Sequence, residues 1–252
     1  MKNIIVALIV VAAVQTSTEL KNVDEVLAKY TVARGGIEKL KAVQSERITG
    51  RMIFAPNVEG TVVIEYKRPL KMHMEMGVQG KTIMRIYDGK SAGWVVNPFS
   101  ENPEVQSMPE EELQAISDEA DFDGPLIDYK PKGHLVALEG LMELDGKRFY
   151  QITVVRKFGG KRTYSIDASN FQVLKWVGET PLQGQTVRVQ NDLSEYREVQ
   201  GLNFPFQVVT TLADSPQQRT FTVEKIEINP PIDDHRFEKP VLAGSPAASP
   251  PQ

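Results

Sequence analysis

Three histidines are the first candidates for metal binding or catalysis in this chain of 252 residues. His73 falls on the polar side of a predicted strand, His134 lies near a turn, and His235 lies in a late loop. No two of them have the spacing of a metal-binding pair, and the sequence contains no HExxH motif. We therefore favour structural roles for all three, and no metal site is predicted.

The acidic stretch Glu110–Asp123 is the second candidate, because carboxylates can bind cations or transfer protons. Its second half does not supply the alternating ligands, central glycine and distal glutamate of a calcium loop. Acidic residues are also favoured in the first turn of a helix, where they face the positive end of its dipole. We therefore interpret the stretch as a helix start with a solvated face.

The remaining motifs of catalysis and cofactor binding are missing from the sequence. There is no GxSxG, no P-loop and no glycine-rich dinucleotide motif. The absence of cysteine excludes disulfides, a thiol nucleophile and a lipid-modified N-terminal cysteine. The net charge of −4 argues against nucleic acid as a partner, since phosphate binding needs a basic face. The sequence therefore predicts neither an enzyme nor a cofactor.

Alternating apolar and polar residues dominate the chain from Ser45 to Val96. In Leu70–Gly77, a leucine and three methionines alternate with lysine, histidine and glutamate. This period of two is typical of a strand with one apolar and one polar face. Short turns join these segments, which indicates an antiparallel meander. Strands resume at His134, and we predict about eleven or twelve in all.

Helical patterns precede the sheet and interrupt it. One runs from Val23 to Val43 and is broken at Gly35–Gly36. The other is Pro109–Ala120, with a second short helix predicted in Phe122–Tyr129. Because these helices lie within a β chain, we expect them to cover the apolar face of the sheet. The predicted lid residues are Leu113, Ile116, Phe122, Leu126 and Ile127.

The two ends of the chain differ in composition from the rest. Ile4–Val14 is an unbroken apolar run after a short positive start, which is typical of a secretory signal peptide and too short for a membrane span. We therefore predict a signal peptide at residues 1–18, a single domain at 19–242 and a disordered tail at 243–252. The mature protein is expected to be exported, to the periplasm where the cell has an outer membrane, as a monomer without a membrane span.

Methionines and aromatic residues cluster in the first predicted strands, and they are the candidate ligand-binding positions. Methionine is unbranched and adaptable, so such a surface suits varied apolar ligands, although it also suits a packed core. A register error of one residue would move a position to the other face. The predicted concave-face residues are Ile48, Met52, Phe54, Ile64, Tyr66, Met72, Met74, Met76, Met84, Ile86 and Trp94.

Several segments in order resemble LolA/LolB-like outer-membrane lipoprotein-sorting proteins. The opening YTVARGGIEKLKAVQSERITGRM is similar to their start, with a helix, a glycine pair, a short helix and a first strand. Later segments are similar to a periplasmic branch of that superfamily and extend the resemblance over nearly the whole mature chain. They are Asp121–His134, Tyr164–Trp176, Gly201–Val208 and Ile232–Pro240.

The resemblance implies a mainly β (α+β) fold, a curved and incompletely closed antiparallel barrel with helices on its concave side. It implies an apolar cavity that holds the acyl chains of lipoproteins or lipids, with membrane donor and acceptor proteins as partners. The missing cysteine fits the soluble carrier LolA and departs from the membrane-anchored LolB. Release of cargo would then depend on movement of Asn97–Met108 and Pro109–Tyr129.

Two other functions remain open at this point. A regulatory or envelope-stress module could use the same fold to bind a protein, and it would have a filled cavity and an exposed apolar patch or sheet edge. A lipid or glycan hydrolase would place a polar cluster with shifted pKa values inside the cavity.

Overall fold

The computed structural model describes residues 19–157, 160–182, 185–213 and 218–242. The predicted signal peptide and the predicted C-terminal tail lie outside these residues. The helices are α1 (Val23–Ala33), α2 (Ile37–Ala42), α3 (Glu110–Glu119) and a 3-10 turn (Asp234–Phe237). The strands are β1 (Ser45–Ala55), β2 (Val58–Lys67), β3 (Lys71–Val78), β4 (Lys81–Tyr87), β5 (Gly93–Val96), β6 (Gln106–Ser107), β7 (Leu135–Leu144), β8 (Lys147–Val155), β9 (Lys161–Asp167), β10 (Val173–Leu182), β11 (Gln185–Val199), β12 (Leu202–Leu212) and β13 (Gln218–Ile228).

All the strands belong to one antiparallel sheet of 13 strands, in the order β6-β5-β4-β3-β2-β1-β13-β12-β11-β10-β9-β8-β7. Sequential neighbours pair within each half, and the first strand joins the last through pairs such as Ile48 with Ile226. In the part of the chain that the structure describes, no pairing joins the edge strands β6 and β7, so the sheet is open. The prediction of a mainly β, incompletely closed antiparallel fold is confirmed, and the sheet has 13 strands where about eleven or twelve were predicted.

The segment after α3 differs from the sequence prediction. Phe122–Tyr129 forms successive turns instead of a helix. Gly124 and Asp128 have φ angles of +81° and +53°, outside the right-handed helical region. A continuous helix therefore cannot pass through either residue.

Cross-strand register shows which methionines share a face. Met72, Met74 and Met76 pair with Tyr66, Ile64 and Val62, and these positions continue the face that carries Ile48 and Met52. α3 covers this face through Ile116, which is fully buried. We call this group the methionine cluster; its buried members are Val62, Ile64, Met72, Tyr87, Met108, Ile116 and Ala120.

Met84, Ile86 and Trp94 lie on the opposite face, so their predicted place among the concave residues is wrong. The turn at Gln79–Gly80 pairs Val78 with Lys81, and even-numbered positions of β3 therefore face odd-numbered positions of β4. Met84 pairs with Glu75, while Ile86 pairs with both His73 and Trp94. Alternation within each strand predicts one face for the even-numbered positions of both strands, but this turn places the even-numbered positions of β4 on the other face.

A second core forms under the other half of the sheet. α1 contributes Val26, Leu27 and Tyr30 to it, and the turns after α3 contribute Leu126 and Ile127. Strands β8, β9, β10, β12 and β13 supply most of the remaining buried side chains. Ile48 and Phe221 contact both cores, so the two halves of the sheet are packed continuously across the β1–β13 seam.

Candidate functional site: a cavity under the helices

A cavity of about 380 Å³ lies between the sheet and the helices, within the usual range for small-molecule sites. One wall is formed by Tyr66, Met72 and Met74 of β2 and β3. The opposite wall comes from β9–β12 and the turn before β10, and aromatic side chains are its largest group. Its aromatic members are Tyr164, Phe171, Trp176, Tyr196 and Phe204.

The predicted site residues are only partly brought together at this cavity. Tyr66, Met72 and Met74 line it. Ile48, Met52, Ile64 and Met76 pack in or against the methionine cluster instead. Phe54 lies with its ring over Gly60, near the end of β1.

The predicted lid residues are packed into the two cores. Leu113 and Ile116 belong to the methionine cluster, whereas Phe122, Leu126 and Ile127 contact the α1 core. The same segment presents other residues to the cavity, namely Asp118, Glu119, Asp121, Gly124 and Pro125. The segment from α3 to Tyr129 thus has an apolar side that packs into the two cores and a more polar side that faces the cavity.

The aromatic wall was missed by sequence reasoning. In β9, Tyr164 alternates with polar residues, and Trp176 pairs directly with it from β10. The period of two that identifies β3 is therefore also present here, so the signal for this wall is in the sequence.

α1 is fixed to the sheet at its C-terminal end, next to the cavity. The Asn203 side chain donates a hydrogen bond to the Ala33 carbonyl (2.7 Å), and the Asn203 amide donates to the Arg34 carbonyl (3.1 Å). Gly35 follows with a φ angle of +117°, and a Cβ there would lie 2.3 Å from the Gly201 carbonyl oxygen. Only glycine fits this close approach, so Gly35 allows the end of α1 to pack against the start of β12.

Two neighbouring carboxylates of α3 reach opposite halves of the sheet. Glu119 forms an ion pair with Arg85 of β4 (2.8 Å), and Asp118 forms one with Arg156, directly after β8. Arg156 is 7% exposed, and burial lowers its pKa. α3 therefore bridges the two halves of the open sheet above the cavity.

We expect the double variant Asp118→Asn/Glu119→Gln to loosen this bridge. Amides of α3 should exchange with solvent at least about 10-fold faster, since local opening depends on the contacts that hold an element. Hydrogen exchange measures this, with β12 and β13 unchanged. Glu110→Gln/Glu111→Gln removes the same charge from the exposed first turn and serves as the control. Equal rates in both variants would show that the two ion pairs do not hold α3.

Two buried carboxyl groups near the cavity have opposite environments. Asp123 is 2% exposed and binds Arg68 through both oxygens (2.7 and 3.0 Å) and Lys41 (2.7 Å). Burial alone would raise its pKa, but the bonds from Arg68 and Lys41 hold the pKa below the ordinary value. Glu46 is 4% exposed, and burial raises its pKa to about 7 despite the nearby charge of Arg34.

The described residues contain neither a cluster of metal ligands nor a helix suited to crossing a bilayer. They bring no group of three or more histidine, aspartate or glutamate side chains together as metal ligands. No helix in the described part of the chain has the length and apolar character needed to cross a bilayer.

Comparison of the fold with solved structures finds similar proteins over most of the chain. A LolA superfamily protein from Nitrosomonas europaea matches with a TM-score of 0.57 and 14% identity, over 86% of this chain and 97% of that one. An outer membrane lipoprotein-sorting protein domain from Vibrio parahaemolyticus matches with a TM-score of 0.56 and 8% identity, over 86% and 98%. A DUF1329 family protein from Desulfovibrio piger matches with a TM-score of 0.57 and 10% identity, over 86% and 97%.

At the level of sequence, no family model and no curated protein matches. The fold therefore connects this chain to known proteins, and the architecture that the resemblance implied is confirmed. The chain shares its fold with a LolA superfamily protein and with an outer membrane lipoprotein-sorting protein domain.

Proposed function

We propose that the protein is a periplasmic carrier that binds the acyl chains of lipoproteins or lipids, without catalysis. The observation that carries this proposal is a cavity walled by methionine and aromatic side chains under a helical lid, on a LolA-like fold. Burying an acyl chain contributes roughly 0.8 kcal/mol per CH₂, so the apolar walls supply affinity without any reactive group. Membrane proteins that donate and accept the cargo are the proposed partners.

Native mass spectrometry of the protein purified from the periplasm, with lipid extraction alongside, tests the proposal directly. We expect lipid or acylated peptide to co-purify at a ratio near one to one. A clean apo mass, together with no uptake of added fatty acid, fatty alcohol or lipopeptide, would contradict the proposal.

Met74→Asp is expected to reduce acyl-chain uptake at least about 10-fold, because it places a carboxylate against the apolar ligand. Met74 lines the cavity from β3. Uptake of a fluorescent fatty acid measures the effect, and circular dichroism checks folding. Met84→Asp introduces the same charge in the neighbouring strand on the opposite face and should bind normally. Normal uptake by a folded Met74→Asp protein would show that the wall formed by β2 and β3 does not contact the acyl chain.

The regulatory-module alternative is favoured by one observation, the apolar edge of the sheet at β7. Leu135 is 72% exposed and pairs with Val155, which is 42% exposed, while Leu144 is 60% exposed. An apolar edge strand can pair with another chain. Leu135→Lys distinguishes the two functions, since a carrier should keep its uptake of lipid and a protein-binding module should lose its partner.

A further inference from the structure

The charges in the cavity wall do not balance, and this difference bears on the head group of the ligand. Five charged side chains line the cavity: Arg34, Asp118, Glu119, Asp121 and Arg162. Each of the three carboxylates is ion-paired with a cation outside the lining, namely Arg156, Arg85 and Lys132. Among the described residues, neither Arg34 nor Arg162 has a carboxylate oxygen within 4 Å. The wall therefore carries two positive charges without ion-pair partners.

Arg162 lies on the concave face in a position that would ordinarily be apolar. It shares this face of β9 with Tyr164 and Ile166, which are both buried. Its guanidinium lies 4.4 Å from the centre of the Trp176 ring, in a cation–π contact. Its buried Nε has no hydrogen-bond acceptor in the described part of the chain. The same guanidinium is hydrogen-bonded to the Tyr164 side chain, but its Nε–H is not paired. Buried donors are nearly always paired, so this N–H marks a point that suits an anionic oxygen.

Arg34 enters the cavity from the C-terminal end of α1. Its Nη1 donates a hydrogen bond to the Tyr30 hydroxyl (3.0 Å), and its guanidinium lies 6.0 Å from the Phe204 ring. The nearby Glu46 does not neutralise it by direct contact, because no described hydrogen bond or ion pair joins the two side chains. Burial also favours the uncharged form of Glu46, with a pKa of about 7.

We propose that the ligand is an amphiphile whose acidic head group, a carboxylate or a phosphate, binds Arg34 and Arg162 while its acyl chain lies against Met72, Met74 and the aromatic wall. This inference rests on the proposed carrier function and narrows its cargo to acidic lipids. Guanidinium groups match both oxyanions in a bidentate geometry. Their attraction is strengthened where the surrounding walls exclude water.

A matched series of probes tests the head group. Laurate, dodecyl phosphate and dodecanol have the same chain and differ only in their heads. We expect laurate or dodecyl phosphate to bind at least about 10-fold more tightly than dodecanol, as measured by displacement of a fluorescent fatty alcohol. Whichever acid binds more tightly identifies the head group.

Variants assign the effect to the two arginines. Arg162→Gln and Arg34→Gln should each weaken binding of the acidic probes about 10-fold and leave dodecanol unchanged. Arg162→Lys retains the charge if the glutamine variant does not fold, and it should keep part of the preference. Arg51→Gln removes one positive charge from an exposed position of β1 and should change nothing.

The outcomes separate this inference from the proposed function. Equal binding of all three probes would leave the carrier function intact and overturn the acidic head group. An acid preference that survives in both glutamine variants would also overturn the assignment to Arg34 and Arg162. Failure of every probe to bind would contradict the carrier function itself.

Discussion

Replacing Asp123 with alanine is expected to lower the free energy of unfolding by about 3 kcal/mol at neutral pH. Asp123 is 2% exposed and joins three separate elements: Arg68 in the turn before β3, Lys41 of α2, and its own turn after α3. Removing one partner of a buried ion pair leaves the other charges without compensation, which costs more than the pair itself contributes. Urea unfolding followed by circular dichroism measures the loss.

The pH dependence of this contribution follows from the lowered pKa of Asp123. Because the pKa is lower in the folded protein, the contribution is complete above the unfolded value of 3.8 and is lost as the pH falls through the folded value. The difference between wild type and Asp123→Ala should therefore be constant near neutrality and shrink only in acid.

Asp24→Ala is the matched control for Asp123. Asp24 also binds a lysine, Lys130 (2.8 Å), but its side chain is 51% exposed. Exposed ion pairs contribute little, so this variant should unfold close to wild type. Equal effects of the two substitutions would show that burial of Asp123 does not determine its contribution.

Glu46→Gln is expected to stabilise the protein in alkaline solution. The pKa of Glu46 rises from 4.5 to about 7 on folding, mainly because of burial. Below 4.5 the carboxyl is protonated in both states, so the substitution should change little. Between 4.5 and 7 the unfolded state ionises first, so wild-type stability falls as the pH rises. One pKa unit corresponds to about 1.4 kcal/mol. Above pH 7 the free energy of unfolding of the glutamine variant should therefore exceed that of the wild type by about 3 kcal/mol.

Glu65→Gln provides a control with the opposite sign. Glu65 is also 4% exposed, but it lies on the other face of the sheet and binds Arg47 and Arg236, both at 2.8 Å. Burial alone would raise its pKa, but these bonds lower it, so its ionised form stabilises the fold at neutral pH and the substitution should destabilise it. Unfolding curves at pH 5 and pH 8 decide the matter; a loss of stability in Glu46→Gln at pH 8 would contradict the assigned environment.

Periodicity predicted the class of fold because each strand must bury one face. The spacing of Met72, Met74 and Met76 predicts that they share a face, and their cross-strand pairing shows that they do. The error at Met84 and Ile86 arose because alternation within one strand does not show whether odd- or even-numbered residues of the next strand share its face. Two residues between Val78 and Lys81 are enough to exchange the faces.

The polar features of the site show where sequence reasoning is incomplete. Glu46, Arg85 and Arg162 each occupy a strand position whose neighbours at two-residue spacing are mostly apolar, and that exception was readable in the sequence. The ion-pair partners of such residues cannot be predicted from the sequence in this way, because ion pairs form between distant segments. Arg85 and Glu119 are separated by 34 residues, and Arg68 and Asp123 by 55. No local pattern predicts such pairs.

The seam between the first and last strands has a consequence for how the chain folds. β1 cannot complete its pairing before β13 exists, since partners such as Glu46 and Ile228 lie near opposite ends of the domain. Contacts of such high sequence separation slow folding, because the entropy of closing the intervening chain is lost before the contact is gained. The centre of the sheet is therefore its last part to be completed, and a chain emerging from synthesis or translocation keeps the β1 edge unpaired until nearly all of the domain is available.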